Sequence, residues 1–156
     1  MISKNFLLAA VVMAAAPLAA VAPAHAAGKL CQIRITANDL MQYDKKEITV
    51  GPGCSQIEVT LADIGKLPAA AMGHDWVLVK SEDMMTVAND GLAAGLGNNY
   101  QKPGDPRIIA ATKIIGGGQS TSVTFPASKL EKGGSYMFLC TFPGHNALMK
   151  GVFNYR

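Results

Sequence analysis

Short stretches in which polar and apolar residues alternate recur along most of the chain after residue 30. This period of two is typical of β-strands that bury one face, because successive side chains point to opposite sides of a sheet. In residues 56–61, for example, Ile57, Val59 and Leu61 would all face a core. A Gly-Pro-Gly sequence at 51–53 predicts a turn. The pattern predicts strands over residues 32–37, 46–50, 56–61, 76–80, 122–125, 136–140 and 150–155.

Residues 81–94 (SEDMMTVANDGLAA) break this alternation. Ser81 would cap the N-terminus of a helix, and the two acids after it would stabilise the first turn. The segment predicts one short helix inserted between strands, and the whole pattern predicts an all-β fold: a Greek-key two-sheet β-sandwich of about eight strands. The apolar residues near helical spacing are Met84, Met85, Val87, Ala88 and Leu92.

The first 26 residues have the features of an export signal. Lys4 supplies a short positive region, residues 6–16 are apolar, and Ala24 and Ala26 frame a cleavage site. A membrane anchor is the alternative, but Pro17 and Pro23 interrupt the apolar run and no stop-transfer flank follows. We therefore expect residues 1–26 to be a cleaved signal peptide and residues 27–156 to form a single exported domain.

The distribution of charge limits the possible partners. The 156-residue chain has a formal net charge of +3, and its basic residues are scattered. Without a block of Lys and Arg, we expect neither nucleic acid nor an anionic membrane as a partner. No second apolar stretch is long enough to span a bilayer. We expect a soluble protein.

The chain has three cysteines, which cannot all pair within one molecule. Export leads to an oxidising compartment, where disulfides persist. Closing the loop between Cys31 and Cys54 would stabilise the fold by about 3 to 4 kcal/mol. Cys140 would then be unpaired, which suggests either an intermolecular bridge or a functional thiol.

Cys140 opens the turn-rich segment CTFPGHNALMKG, which also contains His145 and Met149. Outside the predicted signal peptide the other histidine is His74, in MGHDWVL. The alternation places each of these residues at a strand end, on the face that carries large apolar side chains. His74 shares its face with Trp76 and Leu78, Cys140 with Tyr136 and Phe138, and Met149 with Phe153 and Tyr155.

Two imidazoles and a thiolate, with a weak and distant thioether, form the blue-copper electron-transfer site. Zinc would accept the same ligands, but it has no redox chemistry and no use for a thioether. Taken singly, each residue also has an ordinary structural role: a buried Cys or Met fills a core, and a His is a satisfied polar group. A catalytic Cys–His pair would explain Cys140 but not Met149. The four residues together favour copper.

The chain resembles the azurins, a bacterial group within the cupredoxin family, from Cys31 to its C-terminus. The spacing Cys140-x₄-His145-x₃-Met149 is that of the azurin ligand loop. The motifs that carry the resemblance are MGHDWVL, DGLAAGL, TKIIGGG, SVTF and YMFLCTFPGHNALMKG.

The resemblance implies one type 1 copper and the disulfide Cys31–Cys54. Its copper ligands would be His74, Cys140 and His145, with Met149 axial and the carbonyl of Gly73 as a weak ligand on the opposite side.

The resemblance also implies residues that support the ligands. Backbone N–H groups of Asp75 and Phe142 would donate to the sulfur of Cys140, and a side-chain link through Thr141 would join the His74 and Cys140 loops. Azurins usually have Asn where this chain has Asp75. Asn both donates and accepts hydrogen bonds, whereas an ionised Asp only accepts them, so the form of this link is an open point.

As a function, the resemblance implies a monomeric periplasmic electron carrier that is not an enzyme and docks briefly with redox proteins. Cytochromes c, nitrite reductases and amine dehydrogenases are the partner classes it suggests. A copper chaperone or storage protein is the alternative. Docking would use an apolar patch around His145, called here the docking patch: Leu67, Met72, Phe142, Pro143, Gly144, Ala147 and Leu148.

Overall fold

The computed structural model describes residues 28–156, so the predicted signal peptide at residues 1–26 lies outside the described residues. Strands of alternating burial dominate the described chain, as the period-two pattern predicts. They are β1 (Leu30–Asn38), β2 (Gln42–Tyr43), β3 (Glu47–Val50), β4 (Gln56–Asp63), β5 (Val77–Lys80), β6 (Ala110–Ala111), β7 (Ser120–Pro126), β8 (Tyr136–Leu139) and β9 (Lys150–Tyr155). The helices are α1 (Ala69–Met72) and α2 (Met84–Ala94).

The strands form two sheets that face each other, which confirms the predicted all-β sandwich. One sheet has the order β2-β1-β4-β7 and the other β3-β9-β8-β5-β6. Both sheets are mixed, because β1 pairs with β4 and β3 with β9 in parallel, while β4–β7, β5–β8 and β8–β9 are antiparallel. The partners in each parallel pair are not consecutive in the chain, so both sheets join segments that are separated in sequence.

The main core lies between the two sheets. Trp76 is fully buried at its centre and packs against Phe125 from one sheet and Phe138 and Phe153 from the other. Aromatic rings of this size bury large apolar areas and dominate the energy of a core. The strand faces that the sequence predicts to be buried, including Ile57, Val59 and Leu61, belong to this core.

The outer face of the five-stranded sheet is covered by α2. Val77, Val79 and Leu139 pack there against Met84, Val87 and Ala88 of the helix. The helix predicted over residues 81–94 is therefore present, although residues 81–83 form a 3-10 turn. Ser81 does not cap it.

Not all apolar residues of α2 at helical spacing are buried. Met85 and Leu92 are about half exposed, whereas Gly91 is buried against the backbone of Tyr100. A Cβ at position 91 would lie 2.1 Å from the Tyr100 carbonyl oxygen. Contact with this loop, rather than the apolar period alone, therefore fixes the rotation of the helix.

A disulfide marks one end of the sandwich. The predicted disulfide Cys31–Cys54 is present and joins the chain near the starts of β1 and β4. β1 and β4 pair in parallel as far as Asp63. From the rise per residue of a strand, the far ends of both strands therefore lie about 20 Å from the disulfide.

Within residues 28–156, no helix has the length and apolarity needed to cross a membrane.

Candidate metal centre

Three potential ligands meet where the connections of the two sheets converge. His74 precedes β5 and is fixed by two backbone hydrogen bonds of 2.9 Å with Ile115. Cys140 directly follows β8, and its N–H donates to the carbonyl of Met149 at 2.9 Å. His145 begins a 3-10 turn after Gly144, whose positive φ of 81° suits a glycine and lets the loop turn back.

The ligand atoms of these residues are mutually close. One imidazole nitrogen of His74, the sulfur of Cys140 and one imidazole nitrogen of His145 all lie within 4.8 Å of one another. The Cys140 sulfur is 3.6 Å from Nδ1 of His145, and the two imidazole centres are 5.1 Å apart. His74 and Cys140 are fully buried, and His145 is 3 % exposed. The geometry forms a closed, three-ligand cage that touches solvent only at His145.

The buried imidazole of His74 lacks the hydrogen bonds that such a group normally makes. Both of its ring nitrogens are buried, and neither has a partner at hydrogen-bonding distance and angle. An unpaired buried polar group of this kind costs roughly 1 to 3 kcal/mol. A metal ion that accepts electron density from one of these nitrogens would remove the cost at that atom, so the residues fit a metal.

The pKa values of the ligands agree with a bound cation. Burial lowers the pKa of His74, and it lowers the pKa of His145 to about 4, with His74 adding a smaller repulsion there. Both rings are therefore neutral near pH 7, as ligands must be. Burial raises the pKa of the Cys140 thiol well above its ordinary value, and the charge of Asp75 adds to the shift. A metal cation would supply the charge that a buried thiolate lacks here.

Met149 and Gly73 lie beside this cage. Met149 is fully buried in the main core and donates its N–H to the His145 carbonyl at 2.7 Å. The Gly73 carbonyl oxygen lies 3.9 Å from the Cys140 sulfur. A Cβ at position 73 would lie 2.5 Å from the Ala69 carbonyl oxygen. Glycine is therefore required for the chain to pass so close to the site.

The link between the His74 and Cys140 loops is present although Asp75 can only accept hydrogen bonds. One carboxylate oxygen of Asp75 accepts from the Thr141 N–H at 2.7 Å, and the other from the Thr141 hydroxyl at 2.6 Å. The backbone N–H groups of Asp75 and Phe142 lower the pKa of the Cys140 thiol and so oppose the larger effect of burial. Asp75 can form this link although it only accepts hydrogen bonds, because the N–H and the hydroxyl of Thr141 both donate.

Sequence reasoning missed two further polar residues at the site. The Gln101 side-chain amide donates to Asp75 at 2.9 Å. The buried hydroxyl of Tyr43 donates to the Asp75 backbone carbonyl, and burial, together with the nearby Cys140 and Asp75 charges, raises the pKa of Tyr43. Neither residue lies near a ligand in the sequence, and no motif marked them.

The docking patch residues differ in exposure. Phe142 and Met72 are half-buried, and Phe142 packs on the His145 ring with centres 4.6 Å apart. His145 lies within this patch and is almost completely enclosed. The exposed members of the patch are Leu67, Pro143, Gly144, Ala147 and Leu148.

Comparison with known proteins gives a consistent result. A family model described as copper binding proteins, plastocyanin/azurin family, matches residues 29–154. Azurin-1 of Alcaligenes xylosoxydans xylosoxydans is 57 % identical over 122 residues, which are 78 % of this chain and 95 % of that protein. Azurin of Bordetella pertussis is 54 % identical over the same length, covering 78 % of this chain and 81 % of its own.

A solved structure agrees with these relatives. Azurin Az-iso2 from the methylotroph Methylomonas sp. strain J matches with a TM-score of 0.78 and 42 % identity. The match covers 81 % of this chain and 98 % of that one. The fold, the cage of His74, Cys140 and His145, and these similarities lead to one conclusion: this chain belongs to the plastocyanin/azurin family of copper-binding proteins.

Proposed function

We propose that this protein is a blue-copper electron carrier that moves single electrons between redox partners. The observation that carries the proposal is the buried cage, in which two imidazole nitrogens and one cysteine sulfur lie within 4.8 Å of one another. Copper held by such ligands cycles between Cu(I) and Cu(II). The ligand types are acceptable to both oxidation states, so the chain need not rearrange when the charge changes.

In this proposal His74, Cys140 and His145 would hold the ion, and Met149 and the carbonyl of Gly73 would be weaker ligands. The backbone N–H groups of Asp75 and Phe142 stabilise the thiolate. Asp75 and Thr141 lock the loops that carry His74 and Cys140, through hydrogen bonds of 2.7 and 2.6 Å. Side chains fixed in this way limit the reorganisation that accompanies electron transfer.

The burial of the ligands favours a carrier over a copper chaperone or storage protein. A protein that hands copper to a partner needs ligands that the partner can reach, whereas His74 and Cys140 are fully buried. The ligands also come from distant parts of the sequence and are held by two sheets. Metal exchange would therefore require the sandwich end to open. We infer that the protein retains its copper and turns over no substrate.

Export and docking complete the proposal. Residues 1–26 act as a signal peptide, and residues 27–156 work in the periplasm as a monomer. Electrons pass through His145 and the docking patch to redox proteins such as a cytochrome c, a nitrite reductase or an amine dehydrogenase. A small uncharged contact suits this role because interfaces with few ion pairs and little buried area dissociate quickly.

Copper loading of residues 27–156 tests the proposal directly. Addition of Cu(II) should give an intense blue colour, and the loaded protein should exchange electrons rapidly with its own reduced form. The matched variant Cys140→Ser should fold but remain colourless, because the thiolate is the source of the colour. A colourless wild-type protein, or a blue one that does not exchange electrons, would contradict the proposal.

A further inference from the structure

The carboxylate of Asp75 is fully buried and acts as a hydrogen-bond acceptor on both oxygens. Thr141 donates to one oxygen through its N–H and to the other through its hydroxyl. A carboxylate has about four acceptor sites, and a buried charge is costly unless these sites are used. The two bonds from Thr141 therefore leave acceptor capacity that another group must satisfy.

Gln101 supplies the missing donor from a separate part of the chain. Its Nε2 lies 2.9 Å from Oδ2 of Asp75 and 2.9 Å from the carbonyl oxygen of Thr112. The hydroxyl of Thr112 in turn accepts from the N–H of Trp76 at 2.9 Å. The amide of Gln101 thus joins the segment of Asp75 to that of Thr112, and each of its two N–H bonds points at an acceptor.

We propose that Gln101 is a positioning residue for the copper site: it donates to Asp75, and the pair forms a matched donor and acceptor that sets the field at the metal. This inference rests on the proposed function. Gln101 touches none of the ligands His74, Cys140 and His145 in the contacts described, so it acts through Asp75. The N–H dipole points its positive end at the carboxylate and offsets part of the negative charge beside the site.

The match is specific to an acidic residue at position 75. If Asn replaced Asp75, its oxygen would be needed for the Thr141 N–H, so its NH₂ group would face Nε2 of Gln101. Two donors would then oppose each other. Turning the Gln101 amide over would instead place its oxygen against the Thr112 carbonyl. Either arrangement leaves a buried polar conflict, so Gln101 and Asp75 are coupled.

A double-mutant cycle on the metal-free protein tests this coupling. Gln101→Leu should lower the melting temperature by about 5 °C when residue 75 is Asp, since a buried carboxylate loses a donor. In the Asp75→Asn background the same change should cost less than half as much, because it also removes the donor conflict. If Leu packs badly, the unbranched Gln101→Met variant repeats the measurement. An equal fall in melting temperature in both backgrounds would overturn the proposal. It would mean that Gln101 stabilises the protein only through its hydrogen bond to Thr112.

The copper-loaded proteins provide the second measurement, by voltammetry at neutral pH. Gln101→Leu should lower the reduction potential in the Asp75 protein and leave it unchanged in the Asp75→Asn protein. An identical shift in both backgrounds, or none in either, would overturn the role at the metal. The melting cycle needs no copper, so failure of the wild-type protein to turn blue would reject the proposed function without deciding the coupling.

Discussion

The carboxylate of Asp75 lies one residue after His74, in a region closed to solvent. Burial raises its pKa above the ordinary value, while hydrogen bonds from Thr141 and Gln101 oppose that shift. A negative charge so close to the site stabilises Cu(II) more than Cu(I), because the oxidised ion carries the larger charge.

Asp75→Asn should therefore raise the reduction potential. Voltammetry at neutral pH measures it, with Glu131→Gln as a control in which an exposed carboxylate is neutralised instead. The control should leave the potential nearly unchanged, since exposed charges are screened by water and salt. An unchanged or lower potential in Asp75→Asn would show that the carboxylate does not govern the metal.

At the residue scale, sequence reasoning identified groups whose chemistry is rare. Two histidines, an unpaired cysteine and a nearby methionine are few enough to be recognised as a set, and His74, Cys140 and His145 do lie together. Gln101 and Tyr43 could not be found in this way. Their roles depend on a distance to Asp75 across 26 and 32 residues of chain, and Gln and Tyr occur in many other settings.

At the scale of elements, the period-two pattern predicted the longer strands because burial on one face is a local property. The two-residue strands β2 and β6 and the single-turn helix α1 were missed, since so few residues carry no period. The apolar spacing alone does not set the rotation of α2. The close approach of Tyr100 to Gly91 decides it, and this contact belongs to the tertiary structure.

An ion-pair cluster joins α2 to the loop that follows it. Arg107 donates to Asp105 at 2.5 Å and to Asp90 of the helix at 2.6 Å. Hydrogen bonds from Arg107 lower the pKa of the buried Asp105 carboxyl from 3.8 to about 2, against the opposing effect of burial. A carboxyl with a lowered pKa stabilises the fold fully above its ordinary pKa, and this stabilisation disappears as the pH falls towards the lowered value.

Arg107→Gln should therefore reduce stability by a constant amount near neutral pH, and the difference from wild type should shrink between about pH 4 and about pH 2. Urea unfolding of the metal-free proteins across this range measures the difference. The histidines protonate equally in both proteins and do not contribute to it. Lys102→Gln is the control, because Lys102 is exposed and lies 3.6 Å from Asp90. A difference that persists undiminished to pH 2 would exclude Asp105 as its source.

At the scale of the whole molecule, the sandwich separates its stabilising covalent link from its metal site. Cys31–Cys54 closes one end, and His74 lies near the other ends of β1 and β4, where Asn38 and Asp63 affect its pKa. Sequence patterns predicted two sheets but not the parallel pairs β1–β4 and β3–β9. Such pairing is set by long-range packing that no local period encodes.

The two ends also differ in what they present to a partner. The docking patch around His145 carries apolar side chains, among them the exposed Leu148 and the half-buried Met72 at the end of α1. When two copies exchange an electron through this patch, both must lose water from it and approach closely. A charge placed there would be repelled by its copy in the partner and would be costly to desolvate.

Met72→Lys should therefore slow electron self-exchange at least tenfold, which corresponds to about 1.4 kcal/mol in the barrier. Nuclear magnetic resonance line broadening in mixtures of oxidised and reduced protein measures the rate, and the visible spectrum should stay the same because the ligands are untouched. Ser128→Lys adds the same charge in the exposed turn after β7, beside the start of β4 at the disulfide end. If both variants slowed exchange equally, net charge would be responsible. If neither did, electrons would have to leave the molecule by another face.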